Sequence, residues 1–495
     1  MGEKRKVVVL GGGIKMQYSV VQTTELDEIV FRLDAEFYHP EHLALQAKLA
    51  RFNSISISDA GGILDCSAFY PSIVPYYNFD KIGIPFLRVN EIQNGLLHIS
   101  QDTAFLPQEI LDENPTTIAR CIPGDLIIAK GGNSLAKVAL LTEEYQHYSV
   151  CRDVIVLRTS EFVDVNRFYL WMFLHSSIGQ KILLRTASQT GQPHLTLDAI
   201  KQIEIPLFTN DFQSEFEWLY RESQRLKHES EKLYYKGQEL LLSELGLINW
   251  QPKHQLAFIK YFSDTEQAER IDAEYYQPKY EEIEDAIKSY KGGYSTIGNE
   301  FDQNKSTFKI DDKKTYKYVE IGSVNVTNGE VTPNVVIGEE LPANAKRVLK
   351  INDVIVSKVR TYRGAITIVE ENGCVGSGAF TVLRENGRIN KETLLAFLHS
   401  KPLLAWSLKP NTGTSYPVII DDDILNLPIP LLPEKKQLEI QRKVNESFNL
   451  RKRSKQLLES AKKAVEMAIE QDEQTAIDWL KVQTKSIGVI DANGL

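Results

Sequence analysis

Cysteine is scarce in this 495-residue chain: Cys66, Cys121, Cys151 and Cys374 are far apart and form no CxxC pair. That excludes the density of a disulfide scaffold and the ligand spacing of a structural zinc site, and it fits a reducing cytoplasm. Long apolar runs are missing too, so no segment reads as a membrane-spanning helix. Lys4, Arg5 and Lys6 precede Val7–Leu10, a run too short for a secretory signal. Positive charge is in deficit, with a formal net charge of −9. This argues against a nucleic-acid binder with a uniformly basic surface, but not against one with local basic patches.

Catalytic signatures are absent as well. The chain has no GxxxxGK[ST] phosphate loop, no HExxH and no GxSxG. His39 and His42 flank Glu41, which reads as a solvated helix start rather than a metal site. Val7–Gly13 resembles the start of a dinucleotide-binding strand. It lacks the third glycine, a following helix and the later acidic residue, so it reads as a short strand or extension. We therefore expect no catalytic residue and no metal ligand.

What is present is a duplication. Arg32-Leu-Asp-Ala-Glu-Phe-Tyr-His-Pro40 recurs as Arg270-Ile-Asp-Ala-Glu-Tyr-Tyr-Gln-Pro278. Further landmarks follow in the same order. Phe86-Leu-Arg-Val-Asn90 answers Tyr318-Val-Glu-Ile-Gly322, and Gly124-Asp-Leu-Ile-Ile-Ala-Lys130 answers Asn352-Asp-Val-Ile-Val-Ser-Lys358. Phe173-Leu-His-Ser176 answers Phe397-Leu-His-Ser400, Gln189-Thr-Gly-Gln-Pro193 answers Asn411-Thr-Gly-Thr-Ser415, and Ile203-Glu-Ile-Pro206 answers Leu427-Pro-Ile-Pro430. A period above 200 residues means two tandem copies of one domain rather than a solenoid. β-branched runs punctuated by Asn-Gly and Pro-Gly turns, with helices between them, make each copy a mixed α/β (α+β) domain.

A long helix follows each copy. Leu219, Leu226, Leu233 and Leu240 fall seven residues apart, as do Val444, Leu458 and Val465 when Arg451 is passed over. Both read as coiled-coil helices with a narrow apolar stripe, packed antiparallel against each other. These leucines and valines are also the candidate partner-binding residues.

The loops carry the polar chemistry. Lys130-Gly-Gly-Asn-Ser-Leu-Ala-Lys137 lies between two apolar strands, and its counterpart is Lys358-Val-Arg-Thr-Tyr-Arg363. Arg and Lys suit guanine edges and phosphates, Asn and Gln suit adenine, and Ser and Thr serve either. A shared frame with differing loop residues is what two readers of two sequences need. The candidate DNA contacts are Arg88, Lys130, Asn133, Ser134, Lys137, Gln189, Thr190, Gln192 and His194 in the first copy. In the second they are Lys358, Arg360, Tyr362, Arg363, Asn411, Thr412, Thr414, Ser415 and Tyr416.

The doubled Arg-[Leu/Ile]-Asp-Ala-Glu-[Phe/Tyr]-Tyr, the doubled strand with its basic loop and the doubled closing motif resemble the specificity subunit of type I restriction–modification systems. Thr190–Pro206 and Asn426–Pro433 carry the closing motif. Phe208-Thr-Asn stands where the family has further prolines, and Gly322 replaces a more usual acidic residue.

The resemblance implies two target-recognition domains, each reading one half of a split duplex sequence, held apart by a helical spacer. It also implies two methyltransferase subunits and a restriction/translocase subunit as partners. S-adenosylmethionine, ATP and magnesium would belong to those partners. The expected divisions are an extension over 1–18, the first domain over 19–210 and a spacer helix over 211–248. A linker and second domain over 249–434, a second spacer over 435–475 and a tail over 476–495 follow. A scaffold that reads no DNA is the competing reading. A spacer of about 30 residues at ~1.5 Å per residue reaches ~45 Å, enough for two readers one helical turn apart.

Overall fold

The computed structural model describes residues 34–68, 72–100, 102–188, 193–326, 329–412 and 416–489, together with residue 21 and two short N-terminal strands. Those strands, Val8–Val9 and Lys15–Met16, pair antiparallel. The strand that resembles a dinucleotide-binding start therefore pairs with a second short strand. The chain forms two compact units: unit 1 holds residues 1–225 and 453–495, and unit 2 holds 226–452.

In unit 1, strands run in the order Ile63–Cys66, Val154–Arg158, Leu126–Ala129, Val138–Leu140, all antiparallel. In unit 2 the order is Phe301–Gln303, Phe380–Glu385, Val354–Ser357, Ile366–Ile368, again antiparallel. A second sheet repeats just as closely. Unit 1 orders Ala104–Leu106, Ile84–Leu87, Tyr148–Val150, Arg120–Cys121, and unit 2 orders Asn334–Ile337, Thr315–Val319, Cys374–Ser377, Ala345–Val348. In both sheets the middle pair is parallel and the flanking pairs antiparallel. The central strands Leu126–Ala129 and Val354–Ser357 are buried throughout, as their unbroken apolar runs require. Unit 1 extends its first sheet by Ile92–Gln93 and Leu96–Leu97, where unit 2, among the described residues, has a bridge between Val324 and Val331.

Each unit buries one helix on all sides. Residues 168–174 of Arg167–His175 and residues 392–398 of Lys391–Leu398 are buried, so neither helix shows a polar face. The closing motifs become the short strands Glu204–Pro206 and Pro428–Pro430, which pair with Ser54–Ser56 and Tyr294–Thr296.

The Asp-Ala-Glu motifs form turns before the helices Pro40–Leu49 and Pro278–Lys288. Asp34 accepts the Phe37 amide and Asp272 accepts the Tyr275 amide. Asp272 also accepts from Nε and Nη2 of Arg270. The matching Arg32 lies outside the described residues. Glu41 pairs with Lys181, and His39 caps its own helix through Nδ1, so these side chains serve the turn.

A buried glutamine joins each globular part to the start of a long helix. Gln213 Oε1 accepts from Asn166 N while Nε2 donates to Asp164 O and Phe208 O. Gln437 repeats this with Asn390 N, Arg388 O and Leu432 O. The two long helices are Asn210–Glu244 and Glu434–Glu470. In unit 1 their segments run antiparallel, with Ser223 against Ser454 at 2.9 Å and Thr209 N donating to Glu473. In unit 2, Ser230 meets Ser447 at 3.0 Å and Lys436 pairs with Glu244 at 3.1 Å.

The buried face departs from the leucine heptad. Leu219, Leu226, Val444 and Val465 are fully buried, but Leu233, Leu240 and Leu458 are half-buried, and Tyr234, Leu241 and Leu457 take the inward places. A 3.6-residue helix drifts away from a strict seven-residue count, so the apolar face steps to the next residue. Serines pack at the contact and bond across it. Leu219, Leu226, Val444 and Val465 of the row read as partner-binding are thus buried within the chain. A further helix, Glu473–Ile487, stands where a tail was expected.

Leu226→Ala should therefore cost about 2–5 kcal/mol, and Leu233→Ala less than half as much. Denaturant unfolding of the two variants checks this; equal losses would restore the heptad.

Candidate nucleic-acid interface

The two polar loops of each copy meet, and they meet the same way twice. In unit 1, Gly131 bridges His194 and Leu195 N donates to Lys130 O at 2.9 Å. In unit 2, Val359 bridges Val418 and Ile419 N donates to Lys358 O at 3.0 Å. One turn of chain further, Ser188 N donates to His194 O, and Thr412 N donates to Val418 O. Every bond in this set is made by backbone, so the side chains are free to differ between the copies.

The loop conformations match as well. Gly132 and Ala136 have φ of +69° and +67°, and Arg360 and Gly364 have +49° and +88°. Each stretch carries a short 3-10 turn, Gly132–Ser134 and Thr361–Arg363. Gly132 takes the left-handed conformation without cost, whereas Arg360 takes it at roughly 1–2 kcal/mol.

Charges on the frame differ. Lys358 pairs with Asp421 at 3.1 Å. Burial raises the Asp421 pKa, but the Thr381 hydroxyl and the Lys358 ammonium outweigh it and hold the carboxyl below its usual range. Leu197 stands at the matching place in unit 1, and Lys130 has no ion pair among the described residues. Asn133 and Lys137 are exposed, with Lys137 Nζ 3.4 Å from Ser134 Oγ. The guanidinium of Arg360 lies over the Tyr416 ring, 4.6 Å from its centroid. Asn411 accepts the Val418 amide through Oδ1, which makes it a structural member of its loop. Arg270 donates to Pro410 O and Asn411 O, tying the Asp-Ala-Glu motif to the same loop. Tyr362 and Arg363 are half-buried on the 3-10 turn.

Arg88 does not join this cluster. Its guanidinium holds buried Glu91 at 3.2 Å and donates to Asp102 O, and its amide donates to the same carboxylate. It closes a turn rather than presenting a reading group. Gln189, Thr190, Gln192, Thr414 and Ser415 lie outside the described residues.

Two histidines that marked the repeat have a role the sequence did not reveal. His399 Nε2 sits 2.9 Å from Val326 O, with Tyr234 OH 3.1 Å from Nδ1. A Cβ on Gly364 would strike its ring, so His399 packs directly under the end of the basic loop. His175 packs instead against Gly95, in the turn between Ile92–Gln93 and Leu96–Leu97. Burial, helped by Lys462, pushes the His175 pKa down to about 4.

No protein-family model matches the chain, and neither does any curated protein. Among solved structures, the type I restriction–modification S subunit from M. genitalium is 14% identical, with 89% of this chain and 97% of that one covered and a TM-score of 0.34. The HsdS subunit from Thermoanaerobacter tengcongensis is 15% identical, with 85% and 96% covered and a TM-score of 0.23. A chain from a structure on complex assembly and conformational transition of the type I R-M system is 15% identical, with 87% and 97% covered and a TM-score of 0.27.

The His175 shift has a measurable consequence. A histidine protonated more readily in the unfolded chain contributes stability that is complete above pH ~6.5 and lost as pH falls toward 4. Wild-type stability should fall across that window by up to about 3 kcal/mol, and His175→Gln should flatten the slope. Thermal unfolding at stepped pH reads it; an unchanged slope in the variant contradicts the assignment.

Proposed function

We propose that the chain is the DNA-reading subunit of a type I restriction–modification assembly, with each unit reading one half of a bipartite duplex target. The observation that carries this reading is one backbone-bonded loop pair, built twice on the same strand order, bearing different side chains each time. Function classes that need a catalytic centre do not call for such a device; recognition of two different short sequences does. The doubled motifs resembling type I specificity subunits support the same reading, and so does the basic run Lys346, Arg347, Lys350, Lys358, Arg360 and Arg363 in unit 2.

On this reading the chain catalyses nothing and works in the cytoplasm. Two methyltransferase subunits methylate adenine, and a restriction/translocase subunit cuts unmodified DNA. S-adenosylmethionine, ATP and magnesium act in those partners. Residues 19–210 and 249–434 are the readers. Residues 211–248 and 435–475 are the spacer that fixes how many base pairs go unread. Because the helix contacts are consumed internally, partners dock on outward positions such as Leu438, Arg442 and Asn445. Adenine inside a duplex must be flipped out for methylation, so the assembly opens the duplex at its site.

The test is selection from a randomised duplex library by the full chain with its methyltransferase subunit. Two constant blocks separated by a fixed gap are expected. Asn133→Ala with Ser134→Ala should alter one block, by about 1–3 kcal/mol per lost contact, and leave the other intact. Enrichment of no sequence would leave a scaffold as the better account.

A further inference from the structure

We propose that Arg360 is the guanine-reading residue of unit 2, an inference that rests on the DNA-reading function proposed above. Its backbone carries the first indication. Arg360 adopts φ +49° and ψ 45°, at the position where unit 1 places Gly132 with φ +69°. Left-handed backbone favours glycine, so an arginine kept there points to use of its side chain. The conformation is locked, because Arg360 N donates to Pro417 O at 2.8 Å and Arg360 O accepts from Arg363 N at 2.9 Å.

The side chain rests over an aromatic ring. Its guanidinium centre lies 4.6 Å from the centroid of the Tyr416 ring, and Tyr416 is 64% exposed. Among the described residues the guanidinium makes no hydrogen bond and no ion pair. Four other arginines of unit 2 are committed: Arg270, Arg384, Arg388 and Arg451 pair with Asp272, Asp353, Glu300 and Glu370. Neighbouring Lys358 is taken by Asp421. Arg360 thus presents an uncommitted planar fork at the tip of a reading loop.

A fixed planar fork matches the O6 and N7 acceptors of guanine in the major groove. Phosphate accepts a fork too, but a phosphate grip serves both copies of a reader equally. Here the copies diverge, arginine against glycine, as residues that read different bases must. Tyr416 is the positioning residue that sets the plane of the fork.

The test repeats the duplex selection with Arg360→Gly, Tyr416→Ala and Tyr416→Phe in the full chain with its methyltransferase subunit. Wild type should require guanine at one position of one block. Arg360→Gly should reduce that preference by about ten- to a hundred-fold, leaving the other block untouched and the thermal midpoint equal or higher. Tyr416→Ala should weaken the same position, and Tyr416→Phe should keep it. An unchanged motif in Arg360→Gly overturns the inference while leaving two-block reading in place. A uniform loss of affinity over all sequences makes Arg360 a phosphate contact, and a lower midpoint makes it structural; both overturn it. Failure of wild type to enrich any sequence is a different result, which removes the reading function itself and this inference with it.

Discussion

The backbone bridge between the basic loop and the closing loop is the constraint on which the rest depends. Lys130 O and Lys358 O each accept from the residue after the bridge, Leu195 and Ile419. A bridge made of amides and carbonyls is indifferent to side chains, so evolution of the loop surface leaves its geometry standing. The buried strands Leu126–Ala129 and Val354–Ser357 deliver the loops, and His399 under Gly364 braces one of them from within. Rigid strands with variable loops at their ends are a common way to place binding residues.

The long helices obey a different constraint. Their contact is lined by serines and small residues as much as by leucines, with Ser223–Ser454 in unit 1 and Ser230–Ser447 in unit 2 bonded side chain to side chain. Buried hydroxyls need partners, so they disfavour sliding of one helix along the other more strongly than an all-leucine face would. Gln213 and Gln437 fix the other end of the arrangement by satisfying three backbone groups each. These polar bonds give the paired helix segments of each unit a fixed register.

Much of this was legible in the residues, because the repeat supplied its own control. Each of the six landmark pairs gave order to the chain, and the two apolar strands and their loops fell where the Gly-Asp and Asn-Asp signals placed them. The leucine rows predicted long helices but misplaced the inward face, since a seven-residue count ignores the drift of a 3.6-residue helix. Arg88 looked like a cation for DNA only because its partner, Glu91, sits in a fold-dependent turn. The left-handed backbone at Arg360 was invisible, because arginine gives no sign of such a conformation, although the aligned Gly132 offered a hint. Gln213 and Gln437 share the 224-residue offset of the nearby motifs, and comparing the copies position by position was the signal that would have found them.

The central claim is that two readers in one chain act on a split target, and the methylome of the source cell tests it most directly. The account predicts modified adenines within a motif of two short defined blocks separated by a constant number of undefined positions, lost when this gene is deleted. A single contiguous motif, or methylation that survives the deletion unchanged, would contradict it.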